Sequence, residues 1–292
     1  MSLALTQAVT TALRSRRRRR FSLYIGLAIV TMLLLFGVFP GFFAPYDPIA
    51  FDYQHLSSPP SLAHLFGTDN FGRDVLSRVI WATRIDLQIA LFCTLFPLIF
   101  GTIVGALIGF YGGWLDAVFG RLVDLVVTFP FLVIVIAIVA VLGPGLINMY
   151  VAVSILGWVF YAKLMRADVQ VQKQADYAAA ARVLGYDELR IIFRHLLPNA
   201  ITPIIVYWMT DMALAILLGS SLGYLGLGAQ PPTAEWGVIV ADGKNFMSTA
   251  WWISGFSGIE EAHAKIEPFW KNSFPANPSS IKVVLTDPQA AK

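Results

Sequence analysis

The chain has 292 residues, of which 57% are hydrophobic and only 13% are charged. Ordinary soluble domains carry about a quarter charged residues, whereas about 20 consecutive apolar residues are enough to cross a bilayer. The composition therefore predicts an integral membrane protein with one membrane domain. Its single cysteine, Cys93, excludes an intrachain disulfide and any metal site made of several cysteines.

The N-terminal region combines a basic segment with a long apolar run. Residues 14–20 read RSRRRRR, and the apolar run that follows covers residues 21–43. This run is long for the hydrophobic part of a signal peptide, and it ends without a small-x-small cleavage site. We therefore expect residues 1–20 to be a basic cytoplasmic N-terminus and residues 21–43 to be the first span.

Five apolar runs predict five spans in an all-α, polytopic helical bundle. The second run carries Gly101, Gly105 and Gly109 on one helix face, where small residues let two helix backbones approach closely. A mixed, proline-rich stretch separates the first two runs, and Gly143-Pro144-Gly145 separates the third from the fourth. The predicted spans are residues 21–43, 85–110, 125–142, 147–161 and 200–227.

The distribution of basic residues predicts the orientation of the chain. The N-terminus and the loop of residues 162–199 together hold twelve Lys and Arg residues, against four on the opposite side. Cytoplasmic loops of membrane proteins carry an excess of Lys and Arg. The N-terminus and the loop 162–199 are therefore predicted to lie in the cytoplasm.

Residues 176–199 within this loop are predicted to form two short helices joined by a hinge at Gly185. Ala178–Ala181 is a strong helix-forming run, Asp187 can cap the second helix, and Pro198 is expected to end it. Such an amphipathic segment either docks a partner or lies on the bilayer surface with its apolar stripe among the headgroups. The stripe consists of Ile191, Ile192, Leu196 and Leu197.

This segment resembles the cytoplasmic EAA loop of ATP-binding-cassette (ABC) importer permeases, whose pattern is E-A-A-x3-G-x9-I-x-L-P. Two positions depart from the pattern, because alanine replaces glutamate at 179 and histidine replaces isoleucine at 195. The resemblance implies that the segment docks an ATPase subunit. The corresponding positions are Ala179, Ala180, Ala181, Gly185, His195, Leu197 and Pro198.

Other stretches resemble one branch of these permeases, the second permease of dipeptide and oligopeptide importers. Residues 67–78, GTDNFGRDVLSR, are similar to the branch's GTDxxGRDVLSR signature, and residues 225–237, LGLGAQPPTAEWG, to its LGLGxQPPT…WG segment. Phe129-Pro130-Phe131 and Gly143-Pro144-Gly145 also match, so the resemblance covers about residues 20–252.

The first of these motifs is predicted to lie on the periplasmic side. Arg73 and Asp74 are expected either to face a binding protein or to pair with each other and fix the loop. The candidate residues of the motif are Gly67, Thr68, Asp69, Gly72, Arg73 and Asp74.

The resemblance implies a type I ABC importer permease in the bacterial cytoplasmic (inner) membrane that translocates dipeptides or oligopeptides. It implies a heterodimer with a sister permease, two ATPase subunits beneath it, and a periplasmic or lipid-anchored substrate-binding protein above. Membrane lipid would surround the spans, and no nucleic acid would be involved. A nickel importer permease is the alternative within the class.

A membrane-embedded enzyme and a truncated, non-transporting protein are the alternatives from other classes. Residues 242–245, DGKN, lack the upstream glycine and the Ser/Thr of a phosphate-binding loop. The four histidines show no metal-ligand spacing. The chain is therefore expected to hold no cofactor or metal and not to be an enzyme, with ATP hydrolysis in its partner subunits.

Asp211 is an ionisable residue in the middle of the fifth predicted span. Such residues are expensive at membrane depth and often functional. Asp211 either faces the transport pathway, where it would meet a substrate ammonium group, or has a structural role and is capped by Thr210 or by a neighbouring helix.

Residues 253–292 are predicted to be an atypical polar tail. They carry eight charges and contain no apolar run near 18 residues, so they cannot span a bilayer. The resembled family has a sixth span and a short cytoplasmic end here. A frameshift or truncation, a true five-span variant and a cloning artefact are the three explanations.

Overall fold

A computed structural model describes residues 23–256, and the regular secondary structure in this range is helical. A single isolated β-bridge joins Thr68 to Asp74. The all-α prediction is therefore confirmed, whereas the basic segment 1–20 and residues 257–292 of the tail lie outside the described residues. The helices are α1 (Leu23–Val38), α2 (Pro40–Phe43), α3 (Val75–Tyr111), α4 (Gly113–Thr128), α5 (Phe131–Leu142), α6 (Leu146–Gln172), α7 (Asp176–Val183), α8 (Glu188–Ile191), a π-helical turn (Ile192–Leu196), α9 (Leu197–Tyr224), α10 (Trp236–Gly243), a 3₁₀ turn (Lys244–Phe246) and α11 (Trp252–Gly255).

Three helices among residues 23–256 are long and apolar enough to cross a membrane. They are Val75–Tyr111, Leu146–Gln172 and the continuous helix Glu188–Tyr224. α4 and α5 together make a fourth if the bent pair is counted as one span, and α1 is a shorter apolar helix. Each of the five predicted apolar runs therefore overlaps at least one of these helices.

The second and fourth spans are longer than predicted. α3 begins at Val75 instead of residue 85, because the Asp74 carboxylate caps it by accepting a hydrogen bond from the Ser77 N–H at 2.8 Å. α6 continues to Gln172 instead of ending at residue 161. Hydropathy marks only the part of a helix inside the hydrocarbon layer, so the polar ends of both helices were assigned to loops.

The third predicted span is not one straight helix. α4 and α5 meet at an angle of 86°, and Pro130 lies between them. Proline has no backbone N–H and keeps the preceding residue out of the helical conformation; Phe129 is accordingly extended, with φ −100° and ψ 145°. Because residues 125–142 are continuously apolar, hydropathy concealed this break.

The glycine face of α3 is covered by α6. A Cβ atom added to Gly101 would lie 2.4 Å from the Trp158 carbonyl oxygen, and one added to Gly105 would lie 2.4 Å from that of Ala162. These distances are far below van der Waals contact. The small residues predicted to permit a close helix approach therefore serve packing within the chain, and not a contact with a second protein.

The bundle has two distinct ends, joined by α3, α6 and α9. The loop of residues 44–74 packs with the 3₁₀ turn and α11 at the end where α3 begins, through a cluster that contains Val75 and Trp252. At the other end, the Lys173 ammonium donates to the Phe110 carbonyl at 3.0 Å, which places the 176–199 segment beside the end of α3. Ile253 is buried in the first cluster, so the predicted polar tail begins inside a packed region.

Candidate functional site

The 176–199 segment contains two short helices joined at a glycine of positive φ. Gly185 has φ +73°, a conformation that residues with a side chain rarely adopt. Its N–H donates to the Arg182 carbonyl at 2.9 Å, and the Tyr186 N–H donates to the Ala181 carbonyl at 3.2 Å. This hydrogen-bond pattern is the Schellman motif of helix C-termini, so backbone bonds fix the turn between α7 and α8.

The second short helix does not end at Pro198, contrary to the prediction. α8, the π-helical turn and α9 form one continuous helix, Glu188–Tyr224. The Leu197 N–H donates to the Ile192 carbonyl, and this wider turn directly precedes Pro198, which has no N–H to donate. Asp187 occupies the capping position of α8, but its side chain makes no capping hydrogen bond. The segment therefore continues without interruption into the fifth span.

The apolar stripe of the second helix is covered by the chain itself. Ile191, Ile192 and Leu196 are at most 1% exposed and belong to one core cluster with Tyr161 and Met165 of α6. Leu197 packs against the same cluster. Ile191, Ile192 and Leu196 are thus not available to the lipid headgroups, and the alternative that placed the stripe among them is wrong.

Other apolar side chains of the segment are exposed. The exposed fractions are 88% for Val183, 69% for Leu184, 51% for Leu189 and 42% for Phe193. We call these four side chains the hinge patch, because Val183 and Leu184 directly precede Gly185 and Leu189 and Phe193 lie on the helix that follows it. The alanines divide in the same way: Ala178 and Ala181 are buried in the core, whereas Ala179 and Ala180 are exposed.

His195 is part of the packing around the hinge. Its ring stacks on the Tyr186 ring with centroids 5.5 Å apart, and the Arg190 guanidinium lies 4.3 Å from the centroid of the same tyrosine. The Nε2 atom of His195 is buried and has no hydrogen-bond partner. The histidine therefore holds the residue that follows Gly185, in a position where the resembled pattern has isoleucine.

The motif of residues 67–74 forms a buried ionic cluster with a distant part of the chain. Asp69 Oδ2 accepts hydrogen bonds from Arg73 Nε at 2.7 Å and from Arg78 Nη1 at 3.0 Å. Asp242 Oδ2 of α10 accepts from Nη2 of the same two arginines, at 3.2 Å and 3.1 Å. Two carboxylates and two guanidiniums balance in charge, and they join the loop and α3 to α10.

Asp74 and the other residues of the motif also have internal roles. Asp74 caps α3 and accepts a hydrogen bond from His64 Nδ1 at 2.9 Å. The Thr68 carbonyl oxygen accepts a hydrogen bond from the Trp252 indole N–H at 3.0 Å. Gly72 has φ +77°, and a Cβ atom there would lie 1.8 Å from the Asp52 carbonyl oxygen.

Neither expected arrangement of Arg73 and Asp74 is found. Both residues are 3% exposed, so neither faces outward, and each pairs with a different residue instead of with the other. The reason is that Arg73 forms salt bridges with two other carboxylates, Asp69 and Asp242, while the Asp74 carboxylate caps the N-terminus of α3.

Asp211 lies at a cavity of about 420 Å³ between α3, α5, α6 and α9. Its Oδ2 atom accepts a hydrogen bond from the Tyr161 hydroxyl at 2.7 Å. Thr210 donates to the Val206 carbonyl and therefore does not cap it. Tyr161 of the neighbouring helix α6 therefore partners Asp211, and the Asp211 side chain also lines the cavity.

Residues 101–257 match the family of binding-protein-dependent transport system inner membrane components. The chain belongs to this family. It is 38% identical over 240 residues to the di/tripeptide transport system permease protein DppC of Pseudomonas aeruginosa, and the aligned region covers 80% of this chain and 79% of that protein. The dipeptide permease DppC of Alkalihalophilus pseudofirmus is 36% identical over 235 residues (80% and 77% covered), and the glutathione permease GsiD of Escherichia coli O6:K15:H31 is 37% identical over 245 residues (84% and 81%).

These matches confirm the predicted resemblance. The chain is a multi-pass permease of the inner membrane and a transport component, not an enzyme. Within the permease, the 176–199 segment, the 67–74 motif and Asp211 occupy three separate places: the two ends of the bundle and a cavity between its helices.

Four features of these places were not predicted from the sequence: the hinge patch, Asp242, Tyr161 and Glu235. The hinge patch is irregular in sequence, because Val183 and Leu184 precede Gly185 while Leu189 and Phe193 follow it. Asp242 and Tyr161 are 169 and 50 residues from their partners Arg73 and Asp211, so no local spacing indicated either contact. Glu235 is fully buried; it caps α10 through the Gly237 and Val238 N–H groups and accepts a hydrogen bond from Ser220 Oγ at 2.9 Å.

Proposed function

We propose that this permease forms, with a sister permease, the pathway of an ATP-driven importer for dipeptides and oligopeptides. The support for this substrate class is the agreement between the 67–78 and 225–237 motifs and three relatives named as dipeptide, di/tripeptide and glutathione permeases. All three of these substrates are short peptides. None of the three relatives is named for nickel, so the nickel alternative gains no support.

The N-terminus and the 176–199 segment lie in the cytoplasm in this proposal, and the loop of residues 44–74 faces the substrate-binding protein. The excess of basic residues at the N-terminus and in residues 162–199 supports this orientation. The 176–199 segment and the loop of residues 44–74 lie at opposite ends of α3.

The hinge patch is the surface that docks an ATPase subunit. The observation that carries this proposal is that four apolar side chains are exposed around Gly185 on a segment whose other apolar face is already buried. Burial of apolar surface contributes about 25 cal/mol per Å² of favourable free energy, so a partner that covers the hinge patch stabilises the complex. Ala179 and Ala180 leave room beside it for a close approach.

The experiment is co-purification of the transporter from cells that express both permeases, both ATPases and the binding protein. Leu184→Asp places a charge in the hinge patch, and we expect it to lose the ATPase subunits while the sister permease is retained. Leu62→Asp is the matched control, because Leu62 is 98% exposed in the loop at the other end of the bundle. Retention of the ATPases at the normal level by Leu184→Asp would contradict the docking proposal.

The substrate class is tested separately by uptake into proteoliposomes that contain the complete transporter and ATP. We expect uptake of dialanine, trialanine or glutathione, and no uptake of nickel ions. Uptake of nickel without any of the peptides would replace the peptide proposal by its alternative.

A further inference from the structure

The cavity at Asp211 has the form of a ligand site with one charged group. Its walls come from four helices, and they are mostly apolar, with Phe131, Phe160 and Leu214 among them. Of the described residues that line it, Asp211 is the one that carries a charge. A pocket of this kind, mostly apolar with a few polar groups of which one is charged, binds a small molecule by fixing one end and packing the rest.

Asp211 has unused capacity to accept hydrogen bonds. A carboxylate offers about four acceptor positions, and the Tyr161 hydroxyl occupies one of them. No Lys, Arg or His side chain of residues 23–256 forms a salt bridge with Asp211. Thr94, another polar group of the lining, is already engaged, because it donates to the Ala90 carbonyl and accepts the Trp208 indole N–H.

We propose that Asp211 binds the terminal ammonium group of a peptide in this cavity during transport. This inference rests on the proposed peptide-importer function and assigns one end of the substrate to one residue. A carboxylate at membrane depth is expensive without a counter-ion, and an ammonium group supplies that charge together with three N–H donors. Charge-assisted hydrogen bonds of this kind are about twice as strong as neutral ones.

The rest of the cavity explains why the ammonium end is the one that is held. The lining contains no basic side chain among the described residues, so it offers no partner for a peptide carboxylate. The aromatic and aliphatic walls suit side chains of varied shape. The site therefore selects for a free amino group and tolerates variation in the remainder of the peptide.

Two variants separate this role from a structural one. Asp211→Asn removes the charge but keeps an oxygen that can accept the Tyr161 hydrogen bond. Tyr161→Phe removes that hydrogen bond but keeps the charge, and Tyr161 is not among the residues that line the cavity. A structural role predicts that Tyr161→Phe is the more harmful change, whereas a ligand role predicts that Asp211→Asn is.

The experiment measures dialanine uptake by the complete transporter in proteoliposomes, at saturating binding protein. We expect Asp211→Asn to lower the uptake by about 10- to 100-fold, the effect of losing a hydrogen bond to a charged group. Tyr161→Phe is expected to retain most of the uptake, and Asp211→Glu to recover more of it than Asp211→Asn does. Size-exclusion chromatography of each purified complex verifies that it is assembled.

The inference is overturned if Asp211→Asn transports as well as the unchanged protein, if Tyr161→Phe is equally or more harmful, or if Asp211→Glu is as inactive as Asp211→Asn. These outcomes differ from a failure of the proposed function. In that case the unchanged transporter itself would import none of dialanine, trialanine and glutathione.

Discussion

The contact between α3 and α6 predicts that Gly105→Ala destabilises the permease. An added Cβ atom would lie 2.4 Å from the carbonyl oxygen, 2.7 Å from the Cα atom and 2.9 Å from the carbonyl carbon of Ala162. All three atoms belong to the backbone of α6, so no side chain can rotate away. To restore an ordinary contact of 3.4 Å with the oxygen, the two helices would have to separate by about 1 Å.

The expected loss of stability follows from this geometry. Overpacking of a well-packed interface costs about 1–3 kcal/mol, and 1 kcal/mol shifts the Tm of a protein of 150–250 residues by about 2–4 °C. We therefore expect Gly105→Ala to lower the Tm by roughly 5 °C, measured by intrinsic tryptophan fluorescence in detergent. The neighbours of Gly105 along the glycine face, Gly101 and Gly109, should behave in the same way.

Gly120→Ala is the matched control for this experiment. Gly120 is also a helical glycine, in α4, but nothing lies within 4 Å of a Cβ atom added to it. Alanine is the better helix former by about 1 kcal/mol, so this substitution should leave the Tm unchanged or raise it. An unchanged Tm for Gly105→Ala, or an equal fall for Gly120→Ala, would refute the reasoning.

Two further pairs of substitutions test the hinge and the ionic cluster. A Cβ atom added by Gly185→Ala meets no atom within 4 Å, so the substitution costs only the strain of the left-handed backbone, about 1–2 kcal/mol. We expect it to weaken the coupling of ATP hydrolysis to uptake. Gly185→Asn should have a smaller defect, because asparagine tolerates positive φ. Asp69→Asn removes the charge that both arginines share in a buried site and should cost about 3–5 kcal/mol. Asp242→Asn should cost less, since that side chain is 25% exposed, and an equal fall in Tm for the two variants would contradict this ranking.

The features that the sequence predicted well depend only on residue type and local spacing. Glycine at 185 indicated a backbone conformation that few other residues adopt, and the structure has φ +73° there. The glycines of α3 indicated a close helix contact because their spacing puts them on one face. Neither inference required knowledge of what lies across the contact.

The features that the sequence predicted poorly depend on what lies opposite. Ile191, Ile192 and Leu196 form a regular apolar stripe, and amphipathicity shows that such a face is covered without showing by what; here α6 covers it. The pairing of Arg73 with Asp242 joins residues that are 169 positions apart, which no motif spacing encodes. The break at Pro130 was hidden for another reason, because hydropathy averages over the proline.

The continuous helix Glu188–Tyr224 has a mechanical consequence. At 1.5 Å per residue, Asp211 lies roughly 35 Å along this helix from Glu188. The hinge patch adjoins the first turn of the helix. A tilt of about 10° about that end displaces a point at this distance by about 6 Å. This displacement exceeds the 2.7 Å length of the hydrogen bond between Tyr161 and Asp211, so a tilt of the helix relative to α6 would break that bond without any contact with either residue.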